Sequence, residues 1–294
     1  MTIQEYSQDF QTLMDSKNSL LDDTALRKIR DGYFVVFVRG FLGNIGASFP
    51  GGYFQSHKKW LDNQGINTYI IDKKDGFDTE NEPSFNVLAI KKVVENFRAK
   101  HPDQKILFVT HSKGGIDILA ALLEEPSLKN DVGGWIAIQT PFEGTTLANI
   151  ATFTFIIRFI ISRLLQLLGG SKNGLLTLRS DVRKAVMQTS INEIEGIVKQ
   201  IPVLTFGSSF DNIDRGILST TMQLQSKMND GVVPLDGTLL KKDGDPLCSY
   251  IKAKPIDHLE TVIKNNMFSF FKPKFDHQRF LKVLLKVWLE NGSH

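Results

Sequence analysis

The chain has 294 residues, 41% hydrophobic and 23% charged, a composition of ordinary globular proteins and far from that of disordered ones. A formal net charge of +3 with scattered lysines excludes the basic stripe of a nucleic-acid binder, and a single cysteine, Cys248, excludes an intrachain disulfide. A chain of this length buries about three quarters of its unfolded surface, enough for one large core.

Residues 1–32 place Phe10, Leu13, Met14, Leu20, Leu21 and Leu26 at helical spacing, which predicts a helical N-terminal extension packed on the main body. Glu5, Asp9 and Asp15 stand where a secretory leader would be basic, and no continuous apolar run follows them. The expectation is a cytoplasmic protein or one exported by a leaderless route.

From residue 33 the pattern changes to strands alternating with helices. The run 33–38, Tyr-Phe-Val-Val-Phe-Val, is β-branched and aromatic, as a buried strand requires, and it ends in Arg-Gly-Phe-Leu-Gly at 39–43. A helix over 53–61, a strand over 66–71 and a helix over 85–100 follow. The run 106–109 is the next strand, and it leads through Thr-His-Ser-Lys-Gly-Gly at 110–115 into a helix that continues to 123. Residues 132–138 form another strand, followed by Gln-Thr-Pro-Phe-Glu-Gly-Thr at 139–145. The alternation resumes with a strand at 202–206 and closes with a helix over 275–290. Such spacing implies a parallel sheet with crossover helices.

The turn at Ser112 carries the most specific signal. Small residues two positions either side would let a serine hydroxyl stand clear of a sharp strand-to-helix turn, the nucleophile elbow related to G-x-S-x-G. Thr-His-Ser-Lys-Gly-Gly resembles the His-Ser-x-Gly-Gly elbow of α/β-hydrolase lipases and esterases, with Thr110 where most members have glycine. Two further segments are similar to the same bacterial lipases: Asn-Asp-Gly-Val-Val-Pro at 229–234 resembles their acid segment, and Asp-His-Leu-Glu at 257–260 their histidine segment. The segment 139–145 resembles their Gly-Thr-Pro-x-x-Gly-Ser. The resemblance spans roughly residues 33–290 and implies an α/β-hydrolase fold: a mostly parallel sheet flanked by helices, with a helical cap or lid inserted at 142–200 of the 33–294 domain.

The chain order Ser112, Asp230, His258 is that of this fold. Serine is too weak an acid to attack an ester unaided; a histidine can take its proton, and a carboxylate fixes that histidine's tautomer. Asp211, after the 202–206 strand, is the alternative acid. The resemblance implies that the backbone N–H groups of Phe41 and Lys113 line the oxyanion hole, with Arg39 in place of the usual histidine. The Lys113 side chain, at the first turn of a helix, reads as solvated.

Within the cap, residues 151–168 are the most apolar run, but Arg158 and Arg163 interrupt it, each costing about 2.5–3.5 kcal/mol at a bilayer centre. An amphipathic lid helix with transient contact to a membrane or lipid interface fits better than a span. The related lipases often hold a structural calcium near the histidine loop, where Glu260 matches one position; no full ligand set is legible, and no cofactor is expected. The function implied is a serine hydrolase of carboxylic esters, lipid esters foremost. Acyl transfer by the same triad and a catalytically silent lipid-binding module remain the alternatives.

Overall fold

The computed structural model describes residues 2–18, 20–41, 43, 52–145, 172–209, 228–263 and 275–291. The apolar run 151–168 and Asp211 lie outside the described residues.

Six parallel strands form the central sheet: β1 (Tyr33–Val38), β2 (Thr68–Ile70), β3 (Lys105–His111), β4 (Val132–Ile138), β5 (Val203–Ser208) and β6 (Ser249–Ala253). Their order is β2-β1-β3-β4-β5-β6. Helices α1 (Ser7–Asp15) and α2 (Asp23–Gly32) precede β1. They are followed by α3 (Gln55–Asn63), α4 (Pro83–Lys100) and α5 (Lys113–Glu124), then by α6 (Lys172–Leu176), α7 (Ser180–Thr189), α8 (Ile191–Gln200) and the closing α9 (His277–Asn291).

Both faces of the sheet are covered, so successive strand residues alternate between two cores. On one face Phe34, Val36, Ile106, Phe108, Trp135 and Ala137 pack with Ile90 and Val94 of α4, Leu119 and Leu122 of α5, and Ile194 and Ile197 of α8. On the other, Val35, Phe37, Leu107, Val109, Ile136 and Phe206 meet Phe10 of α1, Leu61 of α3, and Phe280 and Leu284 of α9. Each such side chain taken fully out of water contributes roughly 1.5–3 kcal/mol. The N-terminal helices are thus part of the core: Phe10 and Ile29 are 1% and 0% exposed.

Helix α8 occupies the crossover between β4 and β5. Strand β6 has no counterpart in the sequence reading; Ser-Tyr-Ile-Lys-Ala alternates buried and half-exposed residues at the sheet edge. That edge is covered by the N-terminal segment, where Tyr6 N–H donates to the Tyr250 carbonyl (2.9 Å) and Tyr250 N–H to that of Gln4 (3.1 Å).

The strand order places the site. The chain runs from β1 outward to β2, then returns to β3 on the opposite side of β1. Connections leave in opposite directions between β1 and β3, which opens a crevice at their carboxyl ends. Residues 39–41 and Ser112 are the segments that emerge there.

Candidate active site

Ser112 ends β3 with φ 53° and ψ −129°, a strained conformation for a non-glycine residue. Its N–H donates to the Ile138 carbonyl at 2.9 Å, which holds the turn against the end of β4. The helix that follows leaves so close to β1 that a Cβ on Gly114 would sit 2.5 Å from the Val38 carbonyl oxygen and 2.7 Å from that of Arg39. Only glycine fits there. Thr110 is accommodated because its hydroxyl accepts a hydrogen bond from the Trp135 indole at 3.0 Å.

Asp230 is held by its own turn. Asn229 Oδ1 accepts from Gly231 N–H at 2.9 Å, Gly231 takes φ 95°, and Asp230 Oδ1 accepts from Val232 and Val233 N–H at 2.9 and 2.7 Å. The other carboxylate oxygen, Oδ2, is 2.8 Å from His258 Nδ1, and His258 Nε2 is 3.0 Å from Ser112 Oγ. A carboxylate only accepts, so Nδ1 carries the proton and Nε2 is left to accept from the serine hydroxyl. Ser112, Asp230 and His258 are 6%, 1% and 5% exposed, so the three groups interact with little competition from water. The structure thus joins Ser112, Asp230 and His258 in one hydrogen-bonded line.

Lys113 opens α5 directly after Ser112, and Phe41 follows Gly40, where an added Cβ would sit 2.7 Å from the Ser112 Cβ. Among the described residues neither backbone N–H has a hydrogen-bond partner; that of Lys113 is free because it opens the first turn of α5. Arg39 is buried and braces the 39–43 turn from below, its Nη1 donating to the Gly43 carbonyl at 3.2 Å and its Nη2 lying 4.0 Å from Asp72.

The reading of Lys113 as a solvated side chain is overturned. It is fully buried, with Nζ 2.7 Å from Asp117 Oδ1 one helical turn on. Asn86 donates to the same oxygen at 3.1 Å. Burial pushes the Asp117 carboxyl up, against the pull of Lys113, and lowers buried Arg183 of α7 to about 10. The signal was present as a lysine and an aspartate four residues apart on one helix.

Sequence reasoning also missed three buried polar residues beneath the site. Tyr53 bonds His111, His111 bonds the His258 carbonyl, and Gln139 bonds both His111 and the loop that carries His258. The expected helix at 53–61 begins at Gln55 instead, which leaves Tyr53 in a bridge with Ile263. Gln139 adopts φ 47° where the resembled segment has glycine.

Glu260 accepts from Asp257 N–H at 3.1 Å, and among the described residues no three His, Cys, Asp or Glu side chains gather as metal ligands. No helix of the described residues is long and apolar enough to cross a membrane.

No protein-family model matches the chain, and no curated protein matches it in sequence. Solved structures do match in three dimensions. A lipase of Bacillus licheniformis in its mature form superposes with a TM-score of 0.60 at 19% identity, covering 83% of this chain and 89% of that one. A metagenomic carboxyl esterase gives 0.68 at 18%, over 89% of this chain and 76% of that one. A phospholipase of Legionella pneumophila gives 0.52 at 18%, over 71% of this chain and 45% of that one. With its parallel sheet, its flanking helices and these likenesses, the chain has the α/β-hydrolase fold.

Proposed function

We propose that the protein hydrolyses carboxylic esters, lipid esters foremost, through an acyl-enzyme on Ser112. The observation that carries this reading is the continuous line from Ser112 Oγ through both nitrogens of His258 to Asp230, on a strained turn at the crevice. In this reading His258 Nε2 takes the Ser112 proton as Oγ attacks the ester carbonyl, then returns it to the leaving alcohol. Asp230 fixes the tautomer and stabilises the imidazolium. The Phe41 and Lys113 N–H groups receive the oxyanion; a single preorganised donor of this kind is worth about 2.7–4 kcal/mol in turnover. Water then repeats the attack and releases the acid.

Lipid esters are favoured because the neighbours in fold include a lipase and a phospholipase, and because the apolar 151–168 run falls in the segment where such folds carry a lid. Contact of that run with a lipid interface belongs to the same proposal.

The test is labelling of the purified protein by a fluorophosphonate probe, with the modified peptide mapped by mass spectrometry. Labelling at Ser112 that disappears in Ser112→Ala is expected. A well-folded wild-type chain that stays unlabelled, with and without detergent, would sink the hydrolase reading and favour a silent lipid-binding module.

A further inference from the structure

Beneath the line of Ser112, His258 and Asp230 lies a second set of buried polar groups whose protons can be assigned. His111 Nε2 is 2.8 Å from the His258 carbonyl oxygen and 3.2 Å from Gln139 Oε1. The Gln139 amide is oriented by its other end, since Nε2 lies 3.2 Å from the Asp257 carbonyl, which only accepts, and 2.6 Å from Ser208 Oγ. Both neighbours of His111 Nε2 are therefore acceptors, and that nitrogen carries the hydrogen. His111 is fully buried, and burial together with the adjacent His258 holds its pKa well below the usual histidine value. A neutral imidazole has one N–H, so Nδ1 must accept, and its partner, the Tyr53 hydroxyl, must donate. The Tyr53 oxygen is then the acceptor for Gly40 N–H at 3.1 Å.

One arrangement of protons satisfies every group, and it runs from Gly40, the residue before Phe41, to the backbone of His258. Gln139 extends it sideways. Its Oε1 also accepts from Thr261 Oγ1 at 2.8 Å, while Ser208 Oγ donates onward to the Ile256 carbonyl at 2.9 Å. A glutamine at φ 47° carries backbone strain on the order of 1 kcal/mol or more. That strain puts one amide in contact with the ends of β3 and β5 and with the loop bearing His258.

We propose that Tyr53, His111 and Gln139 act as positioning residues, a single tether that sets the Gly40–Phe41 turn and the His258 loop at one fixed distance, and that the tether acts on turnover rather than on substrate affinity. The proposal rests on the ester-hydrolase reading. Its physical reason is that an oxyanion donor and a general base must both be in place in the transition state, and a displacement of about 1 Å can cost roughly a hundredfold.

The experiment compares Tyr53→Phe, Gln139→Met and the double variant with wild type, using a soluble short-chain nitrophenyl ester. Each preparation is normalised by fluorophosphonate titration, so that misfolded protein does not count. Each single variant is expected to lower kcat tenfold or more with KM within twofold. The double variant should be no worse than the worse single, because both changes act through the one His111 ring, Tyr53 at its Nδ1 and Gln139 at its Nε2. Should a variant fail to fold, Thr261→Val removes only one donor to Gln139 and is expected to lower kcat several-fold. Turnover per titrated site within twofold of wild type, a rise in KM alone, or losses that multiply would each overturn the tether. A wild-type chain that takes no label would remove the parent reading as well, a result distinct from intact labelling with unchanged kcat.

Discussion

Two buried polar clusters flank Ser112, and they are built on opposite principles. On the side of the His258 loop, Tyr53, His111, Gln139, Ser208 and Thr261 are neutral and bonded to one another. On the other side, Lys113, Asp117 and Arg183 form an ion cluster in which Asp117 Oδ2 and the Nε and Nη2 of Arg183 have no hydrogen-bond partner among the described residues. A neutral network with its bonds made leaves little desolvation uncompensated and admits one geometry. A buried ion cluster with open valences carries desolvation that its attractions do not fully offset. The difference teaches which side of the nucleophile can hold geometry and which is exposed to disruption.

The comparison can be broken from the Ser112–His258–Asp230 line outward, where the proposed ester hydrolysis predicts the largest effect. Asp230→Asn should leave the fold intact and lower turnover by about 10⁴, the scale of a triad that loses its orienting carboxylate. Stopped assays on titrated enzyme measure this, and a loss under tenfold would move the acid role to another residue. On the charged side, Asp117→Ala should cost about 3–5 kcal/mol by stranding two cations. Replacing Lys113, Asp117 and Arg183 together by methionine, leucine and methionine should recover most of that loss. Urea midpoints at constant slope provide the reading; an equal loss in the triple variant would mean that the charges stabilise the fold in their own right.

The smallest effect concerns protons. Burial lowers His57 to about 3 and lowers His111 well below its ordinary value. Each histidine is protonated in the unfolded chain below about pH 6.5 but stays neutral when folded, so its stabilising contribution is complete above that value. It is lost as pH falls, down to about 3 for His57, at about 1.4 kcal/mol per pH unit. Between pH 6.5 and 5.0 His57 alone accounts for about 2 kcal/mol. His57→Leu should flatten the urea stability profile by that amount, and an unchanged slope would count against a neutral buried His57.

What was legible in the sequence follows the range over which each signal acts. Ser112, Asp230 and His258 could be picked out because each stands in a short segment, 110–115, 229–234 and 257–260, that resembles a lipase motif, and because they follow in the chain order of that fold. Strands β1, β3 and β4 were legible because both faces are buried and their central runs, such as 34–38, 106–109 and 135–138, are apolar. Strand β6 was not, since its five residues include only Tyr, Ile and Ala as apolar ones, too short a run to stand out. Lys113 was misread because the rule for helix ends sees only the local dipole, while its burial beside Asp117 and Asn86 of α4 depends on tertiary packing. Gln139 was quoted as part of a segment, and its departure from glycine was the clue to a side chain held there at the expense of its backbone.

The cover over β6 has a consequence for handling the protein. Residues 4–7 pair with Tyr250 and Lys252 across some 245 positions of sequence, including Ser7 Oγ accepting from Lys252 N–H at 2.9 Å. Trimming those residues would bare a row of unpaired amides and carbonyls along β6. Such an open edge invites strand addition from another molecule, so a few lost residues far from Ser112 would be felt first as clumping of the protein, before any change in its chemistry.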